Sequence, residues 1–273
     1  MYRRKPAVAG SFYPSNPKRL EEMINGYLEE ARSVQIKGGI VGIVSPHAGY
    51  VYSGPVAAYA YRQLSGSGVE LAVVLAPSHR FPFSGASILS DGIYETPLGD
   101  VAIDSAVGSL LKENPYFKGV KEAHEMEHSL EVQVPFLQKV LGDFAIVPVI
   151  VGTVDAAACK KIAEGIRDAL AGEKRKCIVV ISTDLSHYYS YSAAQNMDGR
   201  FIEAVRSFDE NKVKGVIESG NAEACGERPV LVGMILCKYL GATKVEILKY
   251  ANSGDTAGGR DQVVGYLAAA FVK

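Results

Sequence analysis

No stretch of this chain is long and apolar enough to span a bilayer. Its uninterrupted runs, such as "LAVVLA" and "YLAAAFV", fall far below the ~20 residues required. The start lacks the apolar segment of about 7–15 residues that marks a secretory leader. Charge of neither sign accumulates: 29 Lys+Arg face 30 Asp+Glu, for a formal net charge of −1. With no basic stripe, the chain has no electrostatic hold on nucleic acid or on an anionic membrane surface. The basic "MYRRK" is too short to alter that and reads as a solvated end. Cysteine is scarce. Cys159, Cys177, Cys225 and Cys237 form no CxxC pair and no disulfide-like framework, which leaves at least one of them available for chemistry. These absences set the expectation of a cytoplasmic protein that engages neither nucleic acid nor membrane.

Familiar catalytic signatures are missing too. Neither the G-x-x-x-x-G-K-[ST] phosphate loop nor the G-x-S-x-G nucleophile elbow occurs. The "SGDTAGGRD" segment, residues 253–261, matches no phosphate fingerprint and reads as a flexible connection or a lid.

What is present is a chain of 273 residues, 48% hydrophobic and 22% charged, enough for a sizeable core. Helical periodicity appears over 16–32, where Leu20, Met23, Ile24, Tyr27 and Ala31 share a face after the Asn16-Pro17 start signal. Further helices are expected over 54–64, 104–113, 155–170, 192–208, 211–218 and 228–240. Short β-branched runs lie between them, at 40–44, 72–75, 144–151, 178–181, 245–251 and 264–272. The alternation predicts an α/β fold: one domain over 1–273, with a mixed, largely parallel sheet flanked by helices on both faces. Residues 84–104 alternate more and carry turn residues, which predicts a hairpin insertion.

Three of the apolar runs deliver a histidine just past their C-terminal ends: "GIVGIVSPHAGYVYSG", "LAVVLAPSHRFPFSG" and "CIVVISTDLSHYYS". In open α/β sheets ligands bind beyond the carboxyl ends of the strands. Neighbouring strands would therefore gather His47, His79 and His187 at one rim. Neutral imidazoles so placed imply a metal without choosing among iron, zinc and copper. Cys225, in "NAEACGERPV", stands before a helix start at Arg228-Pro229, where a thiolate would be stabilised; its other reading is a small buried hydrophobe. Asp184 is either a further ligand or an N-cap or Asx-turn residue. "HEMEH", His124 to His128, satisfies the zinc pattern H-E-x-x-H with Glu125 as base. The helix there is nevertheless expected to start near Glu127 and run through "EHSLEVQVPFLQKVL", with His128 supporting the main site. Tyr50, Tyr52, Tyr188, Tyr189 and Tyr191 would line a pocket for an aromatic substrate or simply pack.

Six segments, in order and over nearly the whole chain, carry a family resemblance: "KPAVAGSFYP", "SPHAGYVYSG", "APSH", "EHSLEVQVPFLQ", "VISTDLSHY" and "ACGERPV". Together they resemble the Memo family, which is structurally similar to class III extradiol dioxygenases, enzymes that open catechol rings with non-haem Fe(II). The resemblance implies an α/β sheet with its site at one edge. It implies that His47 and His79 are metal-site histidines and that Cys225 stands where dioxygenases use a glutamate. Asp184 and His187 would line the same pocket, His187 as the proton-transfer histidine. Thiolate in place of carboxylate shifts preference toward softer ions, including zinc and copper(I). The resemblance also implies copper or iron redox chemistry and, in animals, signalling through phosphotyrosine-bearing receptors. In some prokaryotes it implies association with AMMECR1-type and radical-SAM proteins.

The expected function is a metal-dependent, oxidoreductase-like enzyme. His47, His79 and Cys225 hold Fe(II), with copper or zinc as alternatives, and Asp184 assists. His187 is the general acid/base for a small aromatic substrate, and His128 supports it. One alternative is a binding module that captures a phosphorylated or carboxylated peptide, with Arg80 or Arg228 supplying charge. Another is a zinc hydrolase acting through Glu125.

Overall fold

Leu71, Val73 and Leu75 pack to one side of their strand and Ala72, Val74 and Ala76 to the other, and all six are fully buried. Side chains alternate between the faces of a strand, so an apolar run without polar positions belongs to a sheet covered on both sides. The structure, a computed structural model, describes residues 2–31, 34 and 36–273. Its strands are β1 (Arg3–Arg4), β2 (Ile40–Ser45), β3 (Leu71–Pro77), β4 (Ala86–Ile88), β5 (Gly92–Thr96) and β6 (Gly99–Ile103). They continue with β7 (Phe117–Lys118), β8 (Ala145–Val151), β9 (Cys177–Ser182), β10 (Asp184–Tyr189), β11 (Lys244–Asn252) and β12 (Val263–Val272).

The central strands run β8-β3-β9-β2 in parallel; β12 then adds antiparallel to β2, and β11 antiparallel to β12. Residues 84–104 contribute β4 and the antiparallel β5–β6 hairpin, as the alternation predicts. Helices Ala156–Leu170, Tyr191–Arg206 and Glu227–Tyr239 cover one face. Helices Pro17–Glu30, Tyr50–Arg62 and Gln133–Val140 cover the other. The result is the mixed, largely parallel α/β sheet expected.

Most helix boundaries follow local capping chemistry. Asn16, Asp104 and Asp155 each accept a hydrogen bond from a first-turn N–H, at Arg19, Val107 and Ala158. Arg32, the last residue of the first expected helix, lies outside the described residues. Two elements differ from expectation. The helix expected from residue 54 begins at Tyr50, because Gly49 caps it and the Tyr50 hydroxyl anchors its first turn to the Val132 carbonyl at 2.6 Å. Tertiary packing there overrides the Gly54-Pro55 breaker signal. The "DLSHYY" segment is itself a strand, so His187 sits within β10 rather than past the end of β9.

That strand has a topological reason. β12 pairs with β2 through Ala269–Val272 and with β10 through Val263–Tyr266, two partners along one edge. The chain leaving β9 at Ser182 crosses the end of β2, Thr183 donating to the Ser45 carbonyl at 3.0 Å, and continues the ladder where β2 stops. Asp184 is thereby held against the carboxyl end of β2. Among the described residues no helix is long and apolar enough to cross a membrane.

Candidate metal centre

His47 follows β2 by two residues, and its backbone N–H donates to Asp184 Oδ1 at 2.7 Å. Its ring Nδ1 lies 2.8 Å from Ser182 Oγ, on the neighbouring strand β9. Ser182 donates its hydroxyl proton to the Ser129 carbonyl at 2.7 Å and accepts from Gln133 Nε2 at 2.9 Å. A hydroxyl has only one proton to give. His47 Nδ1 is therefore the donor in its bond to Ser182, and Nε2 carries the free lone pair. The partner on one ring nitrogen sets the chemistry of the other.

His79 is oriented in the same way by different residues. Glu127 caps the short helix His128–Glu131, accepting from the Ser129 N–H at 3.0 Å. The same carboxylate accepts from the His79 backbone N–H at 2.5 Å and from His79 Nδ1 at 2.9 Å. Burial works to raise the Glu127 carboxyl, but the His79 and Ser129 hydrogen bonds outweigh it and hold its pKa at about 2. An ionised carboxylate only accepts, so His79 Nδ1 donates, and in the neutral ring Nε2 is the nitrogen left to bind an ion.

His128 completes a triangle. Ring centroids are 5.2 Å apart for His47 and His79, 4.7 Å for His79 and His128, and 5.6 Å for His47 and His128. One nitrogen from each lies within 4.8 Å of the other two, a group that could hold a metal ion. Burial pushes the His47 ring well below the usual imidazole range and the His128 ring down to about 4, neighbouring histidines adding to both. Both are neutral at pH 7, the form that binds metal.

Cys225 reaches the same place from the turn before helix Glu227–Tyr239. Its sulfur lies 3.1 Å from His47 Nε2 and accepts from the Asp184 N–H at 3.3 Å. Burial, with Asp184 adding to it, pushes the Cys225 thiol up. Burial likewise raises the Asp184 carboxyl to about 6, against the pull of the His47 N–H. His187, half-buried on β10, lies outside the three-nitrogen group, with Nδ1 3.7 Å from Glu223 Oε1. The structure thus brings together His47, His79 and His128 as the group that could share one ion, with Cys225 touching His47 but outside that group; Asp184 is bonded to His47 and Cys225, and His187 sits further along β10.

Other candidates resolve differently. The helix containing Glu125 ends there, Met126 leaving helical geometry, and Glu125 itself is exposed. His124 is buried apart from the cluster against Ser87 Oγ at 3.2 Å. The H-E-x-x-H residues therefore do not share one helix; the chain resumes helix at His128 behind the Glu127 cap, close to the expected start, but the expected single helix is broken at Val132 into His128–Glu131 and Gln133–Val140. Tyr50 is core, whereas Tyr52 and Tyr188 are exposed. Residues 253–256 form a helical turn closed by a capping box between Asn252 and Asp255, and the rest of the 253–261 segment has no helix or strand.

The sequence reading missed a second set of site residues. Arg4 is fully buried; its Nε donates to the His124 carbonyl at 2.9 Å and its Nη2 to the Glu127 carbonyl at 2.7 Å. Its guanidinium also pairs with Glu131, whose carboxylate accepts from the Ala7 and Val8 N–H groups and from the Tyr13 hydroxyl. The N-terminal segment is clamped onto the turn that carries Glu127 and His128. A basic residue four positions into a chain gives no sign of that. The one clue was a carboxylate, Glu127, placed between two histidines.

Comparison with known proteins is uniform. The family model described as "Memo-like protein" matches residues 4–270. A MEMO1 family protein of Methanopyrus kandleri is 39% identical over 280 residues, covering 98% of each chain. One from Nitrosopumilus maritimus is 38% identical, covering 98% of this chain and 99% of its own. One from Methanothermobacter thermautotrophicus is 38% identical, covering 96% and 98%.

Proposed function

The chain belongs to the Memo family, and on that premise we propose a metal-dependent, oxidoreductase-like enzyme whose ion is held by His47, His79 and Cys225. One observation carries the reading. Both histidines spend their Nδ1 protons on fixed partners, Ser182 and Glu127, and the Cys225 sulfur lies against the bared Nε2 of His47. Such nitrogens accept a cation. In the neutral rings they have no proton to offer an anion, which favours the metal reading over a peptide-binding module built on these rings.

The donor set fits a transition metal. Two imidazoles and a sulfur suit iron, copper or zinc, and we place Fe(II) first by kinship with the extradiol dioxygenases. When bound, such an ion supplies Lewis acidity and redox capacity at the rim. The chain's own residues do the rest. Asp184 fixes the His47 backbone and the Cys225 sulfur relative to each other. His128 stacks on His79 and adds a third nitrogen to the group. His187, half-buried further along β10, moves a proton to or from a small aromatic substrate.

Elemental analysis of protein purified without added metal tests the centre. A stoichiometric ion is expected in the native chain, falling at least tenfold in Cys225→Ser. Oxygen uptake after anaerobic Fe(II) loading, with a panel of catechols, tests the chemistry. No uptake with any of them would remove ring opening from the proposal.

A further inference from the structure

Two residues of β10 are surplus to its ladder with β12, and they stand on either side of His187. Asp184 pairs with Tyr266, His187 with Val264 and Tyr189 with Val263. Leu185 and Ser186 therefore oppose Gly265 alone, and Tyr188 opposes nothing. Tyr188 takes a left-handed backbone, φ 64°, which a bulky side chain adopts only under constraint. It is 70% exposed, so the constraint comes from the chain on either side rather than from packing of its own ring. Glu223 does not fix the neighbouring imidazole: its Oε1 is 3.7 Å from His187 Nδ1, beyond hydrogen-bond reach, and its side chain is 43% exposed.

At the first break a side chain does what a strand would do. Ser186 is fully buried, and its N–H donates to Asp198 Oδ1 at 3.0 Å. Asp198 comes from helix Tyr191–Arg206 and is itself fully buried. Its other oxygen accepts from the hydroxyl of Tyr250, on β11, at 2.8 Å. Gly265 makes the room, since a Cβ at that position would overlap the Asp198 carboxylate. We propose that Asp198 is the positioning residue of His187. Standing in for β12 as the acceptor of Ser186, it sets the direction in which the next side chain leaves the sheet. By tying β10 to β11 across Gly265, it also gives the bulge one shape rather than several. That His187 moves a proton rests on the functional reading above; its positioning by Asp198 does not.

The test uses chelator-treated protein carrying isotopically labelled histidine, with the His187 ring signals identified by their loss in His187→Gln. Spectra are taken at about pH 9, where imidazoles are neutral and the loss of a nearby charge does not move them by titration. Asp198→Ala should shift the His187 ring signals and leave those of His47, His79 and His128 in place. Gly265→Ala, which keeps the carboxylate but fills its seat, should shift the same signals. Asp198→Asn, whose amide oxygen still accepts from Ser186, should hold them closer to their native positions than Asp198→Ala does. Unmoved His187 signals in both alanine variants, equal movement of every histidine ring, or an asparagine variant no nearer to native would each overturn the proposal. So would unfolding of both alanine variants, which would make Asp198 a residue of the fold alone. Because no metal is present, a failed elemental analysis leaves this result standing.

Discussion

Ser182 has one hydroxyl proton, and its delivery to the Ser129 carbonyl is what turns the lone pair of His47 toward the centre. Residues that orient a ligand in this way are typically worth about 10–100-fold in metal affinity. Ser182→Ala should therefore weaken binding by about that factor in a chelator competition, and Glu127→Gln should do the same through His79. Unchanged affinity in both would mean that the rings are oriented by packing alone. At this scale the sequence was legible where chemistry is local. His47 and His79 stand two residues beyond apolar runs, and Cys225 sits in a polar turn. Glu127 and Ser182 were not legible, because their partners lie 48 and 135 positions away and nothing local marks the pairing.

Protonation offers a second check on individual residues. Burial lowers His124 from 6.5 to about 3 and His128 from 6.5 to about 4. Between 6.5 and those values the unfolded chain binds more protons than the folded one. Their contribution to stability is therefore complete above pH 6.5 and is lost as the pH falls toward 4 and 3. Asp184, raised to about 6, acts with the opposite sign, its penalty developing as the pH rises from about 4 to 6. His124→Gln removes one histidine from this balance at a site away from the centre. Urea unfolding of the metal-free variant should show a shallower decline between pH 6.5 and 3 than the native chain, whereas an identical slope would contradict the assignment.

Among the elements, the short helix His128–Glu131 and the N-terminal segment behave as one unit. Glu131 gathers Arg4, Tyr13 and two backbone N–H groups, and Arg4 in turn holds the carbonyls of His124 and Glu127. Removing one partner of a buried pair strands the other charge, at a cost of about 3–5 kcal/mol. Glu131→Gln should lose roughly that much in equilibrium unfolding, and metal affinity should fall with it; a loss under about 1 kcal/mol would show that the clamp is dispensable. Element type was readable where capping and periodicity agree, as at Asn16-Pro17 or Asp155. It was not readable at β10, whose polar "DLSHYY" lacks an apolar pattern and is strand only because β2 ends early and leaves β12 an unpaired edge. The β10–β12 ladder shifts register on either side of His187.

For the whole molecule, the parallel run β8-β3-β9-β2 sends every carboxyl end to one rim, which is why side chains distant in sequence meet there. The alternation of elements announced that sheet and the rim at its carboxyl ends. Strand order was beyond reach, since it depends on which apolar faces pair across the chain, and so was the arrival of Cys225 beside β2. The most direct test is X-ray absorption at the zinc edge of zinc-loaded protein. The account predicts one sulfur near 2.3 Å and nitrogen donors at about 2.0–2.1 Å, with the sulfur shell absent in Cys225→Ser. A native spectrum showing only nitrogen and oxygen donors, unchanged in that variant, would contradict it.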